Sequence, residues 1–247
     1  MKIVCIIPSR FASSRFPGKP LADLCGKPMI QHVYERVLQS ALVSAAAVAT
    51  DDDRIFEAVE KFGGKAIMTA GRHRSGTDRI AEAVESLDLE DEDIVVNVQG
   101  DQPIFEPSQI DEVTRPLRED PSLPMSTLIY RIVRKEEIAH PNCVKVVFDS
   151  DFNALYFSRS TIPYVRDDRH PAAHYKHHGI YAYRRSFLRT FTELEEGKLE
   201  RLESLEQLRA LEFGYRIRVV ETLHDSVEVD APDELARVRE ILLGRAV

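Results

Sequence analysis

Apolar and polar positions along this chain follow two different periods, and the switches between them mark its elements. Residues 2–7 form a β-branched apolar run that stops at Pro8, the pattern of a buried strand. A Gly-, Pro- and Ser-rich basic stretch covers residues 9–20, and helical spacing follows over about 28–40. Residues 45–50 read as a second buried strand, ending in the acidic turn Asp51-Asp52-Asp53. Helical spacing returns over 54–62 and is closed by Gly63-Gly64. Residues 66–69 read as a third strand. Residues 77–87 form a helix with Ile80, Ala83, Val84 and Leu87 on one face. Residues 94–98 are a further strand, running into Gln99-Gly100-Asp101-Gln102-Pro103. Such alternation predicts an α/β fold with a mostly parallel sheet covered by helices on both faces. Ligands of these sheets lie beyond the carboxyl ends of the strands, and the loops after Pro8, Thr50 and Val98 all leave those ends.

From about residue 125 the pattern changes. Residues 125–133, 144–149, 154–158 and 180–183 read as strands with little helix between them, an antiparallel extension expected to carry a ligand site and a subunit contact. The polar segment 166–174 is expected to be a mobile loop. A helix over 199–213, a strand over 215–220 and an amphipathic helix over 232–243 complete the reading. The expected organisation is one domain over 1–247, with a core at 1–124 and 185–247 and an extension at 125–184.

Composition narrows the partners. The 247 residues carry a formal net charge of −8, which does not suggest a nucleic-acid partner, so an anionic ligand needs a local cluster of cations. Cys5, Cys25 and Cys143 show no metal-ligand spacing and read as reduced thiols. No stretch approaches the roughly 20 apolar residues of a membrane span, and residues 1–8 are too short an apolar run for a signal peptide. A cytoplasmic protein without a membrane partner is expected.

Three constellations carry chemistry. Directly after the first strand, Pro8, Ser9 and Arg10 lead to Arg15, Gly18 and Lys19. Small residues let backbone approach a phosphate, and the three cations can neutralise a triphosphate; the Walker A pattern is absent. Second, Asp101 and Asp230 both stand in short Pro-containing turns. Two converging carboxylates suit Mg²⁺ on phosphates, although Asp230 alone reads as a helix N-cap before Pro232. Third, Ser75-Gly76-Thr77-Asp78-Arg79 opens a helix, where Ser75 or Thr77 reads as a cap, a role compatible with one at a ligand site.

The loop Arg10-x-x-Ser13-x-Arg15-x-Pro17-Gly18-Lys19-Pro20-Leu21 resembles the signature loop of the nucleotidyltransferases that make the CMP derivative of 3-deoxy-manno-octulosonate (Kdo). Later segments resemble the same family in the same order. They are Ala49-Thr50-Asp51, Ser75-Gly76-Thr77, Gln99-Gly100-Asp101, Tyr156-Phe157-Ser158-Arg159, His177-His178-Gly179 and Leu205-Glu206-Gln207, and the similarity runs from residue 1 to about 243. The resemblance implies a Rossmann-like nucleotidyltransferase sheet and transfer of CMP from CTP to an eight-carbon 3-deoxy acidic sugar. Pyrophosphate leaves in that reaction, Mg²⁺ is the cofactor, and a homodimer is the assembly. It implies catalytic roles for Arg10, Arg15, Lys19 and Asp101, and metal binding by Asp101 and Asp230. Nucleotide contacts are implied for Pro8, Ser9, Arg10, Lys19, Thr50, Asp51, Ser75, Gly76, Thr77, Arg79, Gln99 and Gly100. Sugar contacts are implied for Gln102, Arg159, His177, Tyr181, Glu206, Gln207 and Glu228, while His178 is expected to point away.

Two departures bear on the sugar. The family usually has Glu where this chain has Gln102, and Gly-Val-Asp-Thr-Pro where this chain reads Glu228-Val229-Asp230-Ala231-Pro232. Both resemble the branch that handles 8-amino-3,8-dideoxy-manno-octulosonate, in which a carboxylate at Glu228 would meet an ammonium at C8; both sugars stay open. Rival readings are a CMP-sialic acid synthetase, a glycosyltransferase using Asp51-Asp52-Asp53, and a non-catalytic CTP-binding regulator. The ordered set of segments disfavours the first. The position of the acidic turn disfavours the second, and joint presence of Lys19, Asp101 and Asp230 the third.

Overall fold

The β-branched runs become the central strands of a nine-stranded sheet in the computed structural model, which describes residues 1–12, 16–73, 75–167, 169, 173–229 and 231–245. In chain order the strands are β1 (Ile3–Ser9), β2 (Asp23–Leu24), β3 (Lys27–Pro28), β4 (Ala45–Thr50), β5 (Ala66–Met68), β6 (Ile94–Asn97), β7 (Met125–Arg131), β8 (Lys145–Phe148), β9 (Ala154–Ser158), β10 (Tyr175–Arg184) and β11 (Ile217–Thr222). The helices are α1 (Met29–Val37), α2 (Asp53–Lys61), α3 (Gly76–Glu85), α4 (Ser108–Glu119), α5 (Lys135–Ala139), α6 (Arg185–Glu193), α7 (Lys198–Glu203), α8 (Leu208–Glu212) and α9 (Pro232–Leu242).

The sheet order is β11-β7-β10-β6-β1-β4-β5, β8 branches from β10 and carries β9, and β2 and β3 form a separate two-stranded sheet. β5, β4, β1 and β6 are parallel, as are β7 and β11. β10 runs antiparallel to both β6 and β7, so the antiparallel strand lies inside the main sheet and only β8 and β9 extend from it. Both faces of β1 are buried. Ile3, Cys5 and Ile7 pack in the core layer with Ile30 of α1, Ile55 of α2 and Ile110 of α4. Val4 and Ile6 pack in the other layer with Ile80 of α3 and Leu188 of α6. This two-sided burial is why the first strand reads as an unbroken apolar run rather than an alternating one.

The helices differ from the sequence expectation in three regions. α4 falls where none is expected, because Pro107 precedes it and Pro116 lies within it; its buried face of Ile110, Val113 and Leu117 outweighs the hydrogen bond that proline removes. α6 follows β10 with no intervening loop, and β10 is ten residues long where the sequence indicates four. The single helix expected over 199–213 is two. Ser204 takes φ 51°, ψ 51°, the left-handed conformation, which ends α7 and sets Leu205, Glu206 and Gln207 in a turn before α8. The expected loop at 166–174 falls partly outside the described residues.

Candidate active site

At the carboxyl end of β1 the chain leaves Ser9 into the basic loop. Gly18, at φ 71°, turns it, with its N–H donating to the Phe11 carbonyl at 3.0 Å. A Cβ there would lie 3.0 Å from the Phe11 ring, so both conformation and space select glycine. The turn aims Lys19 across a cavity of about 450 Å³ at the Asp101 carboxylate, 2.7 Å away. Gly100 lets the loop after β6 approach β1: a Cβ at this position would lie 3.0 Å from the Pro8 carbonyl oxygen.

Pro8, Ser9, Arg10 and Lys19 line this first cavity from the β1 side, and Gln99, Gly100 and Asp101 line it from the β6 side. Ser75, Gly76 and Arg79 line it from the start of α3, where Ser75 Oγ caps the helix by accepting from the Asp78 N–H at 3.1 Å. The buried Ser9 Oγ has no partner among the described residues, an orphaned polar atom that a ligand would satisfy.

Thr50 and Asp51 do not line the cavity. Asp51 reaches Arg79 at 3.2 Å, Thr69 Oγ1 accepts from Arg79 at 2.6 Å, and the Thr50 carbonyl accepts from Thr69, so their influence passes through Arg79. Arg15 and Asp230 lie outside the described residues. His73, not anticipated, also lines the cavity and is held by the Glu82 carboxylate; the only signal was the basic run Arg72-His73-Arg74 before the helix.

A second cavity of about 670 Å³ adjoins the first. The two meet at Gly179, where a Cβ would lie 3.4 Å from both Gln99 Cγ and Gln102 Nε2. Thr77, buried beside Gly76 of the first cavity, donates to Oε2 of Glu206 of the second at 2.9 Å. Glu206 Oε1 is buried with no partner. Burial raises the Glu206 carboxyl above its usual range, while hydrogen bonds from Ser75 and Thr77 oppose that shift.

Arg159, His177, Tyr181, Gln207 and Glu228 line the second cavity with Glu206. Arg159 donates to the carbonyls of Glu203, Pro141 and Ser204, which leaves one N–H on each terminal nitrogen. Burial, helped by the nearby His178, pushes His177 down to about 3, so its ring is neutral and pairs with Thr127 Oγ1 at 2.9 Å. Burial raises the Tyr181 phenol well above its ordinary value, keeping it a hydrogen-bond donor.

Gln102 is fully buried and does not line the cavity; its Nε2 donates to Glu228 Oε1 at 2.6 Å, and its own Oε1 has no partner. His178 turns to the α4 face, where Gln109 and Asp225 hold its ring, yet it too borders the cavity. Lys176, Glu137 and Asp225 form an ion cluster in the wall, with Lys176 Nζ 2.9 Å from Asp225 and 3.0 Å from Glu137. Burial would raise the Asp225 carboxyl, but hydrogen bonds from His178 and Lys176 outweigh it and hold it at about 2. Sequence reasoning missed this cluster, since its members come from three separate segments.

No group of three or more His, Cys, Asp or Glu among the described residues could hold a metal by itself. Asp101 is a single carboxylate with 30% of its side chain exposed, already facing a cation. It fits an ion such as Mg²⁺ that takes one or two carboxylates and completes its shell from phosphates.

A glycine-turned cationic loop after β1, facing a carboxylate after β6 and adjoining a second cavity lined by charged and polar side chains, defines a nucleotide-dependent group-transfer enzyme. The chain belongs to the cytidylyltransferase family, whose model matches residues 4–217. A relative from Syntrophus aciditrophicus, named 3-deoxy-manno-octulosonate cytidylyltransferase, is 88% identical over 99% of both chains. One from Shewanella amazonensis, named 8-amino-3,8-dideoxy-manno-octulosonate cytidylyltransferase, is 52% identical over 96% of this chain and 97% of its own. The solved structure of CMP:2-keto-3-deoxy-manno-octonic acid synthetase complexed with CTP superposes with a TM-score of 0.93, at 47% identity over 99% of both chains.

Proposed function

We propose that this chain transfers CMP from CTP to a Kdo-type 3-deoxy-octulosonate and releases pyrophosphate. The reading is carried by the meeting of the two cavities at Gly179 and by the Thr77–Glu206 hydrogen bond, which would let two substrates react across one wall. In this reading the triphosphate lies against Arg10, Arg15 and Lys19, and the base lies near Ser75, Gly76 and Gln99. The sugar carboxylate takes the two remaining N–H groups of Arg159. Its hydroxyls meet His177, Tyr181, Glu206 and Gln207. The sugar's 2-hydroxyl oxygen attacks the α-phosphorus in line as the bond to the bridging oxygen of pyrophosphate breaks, and the hydroxyl proton passes to solvent. Lys19 and Arg10 stabilise the charge that grows on the leaving group. Mg²⁺, held by Asp101 and Asp230 with the phosphates, would supply further charge neutralisation there.

The enzyme acts in the cytoplasm as a homodimer and supplies activated sugar for lipopolysaccharide synthesis. Leu155, 61% exposed on the outer strand β9, and Tyr164, 86% exposed, support the subunit contact. The relative of 88% identity favours the plain sugar. The Gln102–Glu228 hydrogen bond, on a carboxylate that borders the sugar cavity, favours a second reading in which Glu228 meets an 8-amino group.

The test is pyrophosphate release from CTP and Mg²⁺ with the 8-hydroxy and 8-amino sugars in separate reactions. Release that depends on CTP, metal and sugar is expected, and the ratio of efficiencies separates the two sugars. CTP binding without release would instead favour a regulator.

A further inference from the structure

Lys145 stands at the start of β8 with its side chain fully buried. Its Nζ lies 2.8 Å from the carbonyl oxygen of His140, 2.5 Å from that of Cys143 and 2.7 Å from that of Arg159. Three acceptors at these distances need three N–H donors, which the ammonium has and the neutral amine lacks. A lysine this buried ordinarily has a counter-ion. Among the described residues no carboxylate lies within ion-pair distance of Lys145. Glu203, the acid whose charge it feels, instead accepts from Ser158 Oγ at 2.6 Å and from the Arg159 N–H at 2.9 Å. Arg159 likewise spends its guanidinium on carbonyls. Glu203 is therefore the near acid of both Lys145 and Arg159, the Glu137 and Asp225 carboxylates of the same wall being held by Lys176, and His140, Cys143 and Arg159 all border the second cavity. A buried charge left uncompensated is costly, and an anionic ligand in the cavity would relieve that cost.

We propose that Lys145 is a positioning residue for the acid group of the sugar. It ties residues 140–143 to Arg159 and holds, behind the wall, positive charge that the sugar carboxylate neutralises. The inference rests on the cytidylyltransferase reading and adds to it a residue that touches no substrate yet selects an acidic one.

Calorimetry with CMP present compares binding of the sugar acid and its C1 carboxamide to wild type, Lys145→Met and Lys145→Arg, with thermal melts as a fold check. Wild type binds the acid more tightly. Lys145→Met loses about tenfold or more of that acid-to-amide ratio, as removal of one nearby charge predicts, while CTP affinity stays within about twofold of wild type. Lys145→Arg keeps the ratio even where both affinities fall. An equal loss for acid and amide in folded Lys145→Met would overturn the proposal, leaving only a structural staple. If Lys145→Met does not fold, Lys145→Arg decides, and loss of the acid preference in a folded arginine variant overturns it as well. Wild-type protein that releases no pyrophosphate with the sugar acid would overturn the functional reading, and this proposal with it.

Discussion

Lys19 and Asp101 hold each other at 2.7 Å with 12% and 30% of their side chains exposed, so their attraction is less screened than that of a surface pair. With phosphates present, the same ammonium can turn to the leaving group. Lys19→Ala is therefore expected to lower turnover at saturating CTP by on the order of a hundredfold; unchanged turnover in steady-state assays would count against that role. His177 carries a different signature. Its folded value of about 3 lies below the usual 6.5, so between those values the unfolded chain takes up a proton that the folded chain refuses. Stability falls as pH drops through that window, by about 2 kcal/mol between pH 6.5 and 5 from this group alone. His177→Gln should flatten that slope in urea titrations at the two pH values; an unchanged slope would contradict the burial argument.

Among the elements, the α7–α8 pair decides where two of the proposed sugar-binding residues sit. The Glu212 carboxylate accepts from the N–H groups of Lys198, Leu199 and Glu200 at the start of α7, and Arg209 of α8 grips buried Glu200 through two bonds of 2.6 and 2.8 Å. These ties fix the turn that offers Glu206 and Gln207 to the cavity. Arg209→Met leaves Glu200 buried and unpaired, and should cost about 3 kcal/mol in urea unfolding. It should also weaken sugar binding more than CTP binding. Ser204→Gly removes the left-handed penalty and should stabilise by up to about 1 kcal/mol. The split helix was not legible beforehand, because apolar spacing continues through 199–213 and nothing local marks Ser204 as left-handed. α4 was hidden for the opposite reason, since two prolines outweigh helical spacing in a local reading. The core strands were legible because burial on both faces writes an apolar run into the sequence.

For the whole molecule, the ends of β1 and β6 explain how much of the site could be read in advance. Pro8 to Lys19 and Gln99 to Asp101 are local motifs, and the fold brings them to one cavity. The Lys176–Glu137–Asp225 cluster and the Lys145 clasp were not legible, because each depends on pairings between segments far apart in the chain. At this scale the proposed subunit contact is also testable. Leu155→Glu should shift the species seen by sedimentation from dimer to monomer, and a dimer that persists would place the contact elsewhere. The central claim is one direct transfer across the wall shared by two cavities. Its most direct test uses CTP carrying a single stereoisomer of sulfur at the α-phosphorus, with the configuration of the CMP-sugar product determined by phosphorus NMR. One in-line attack by the sugar hydroxyl predicts inversion. Retention would mean a covalent CMP-enzyme intermediate and would contradict the account.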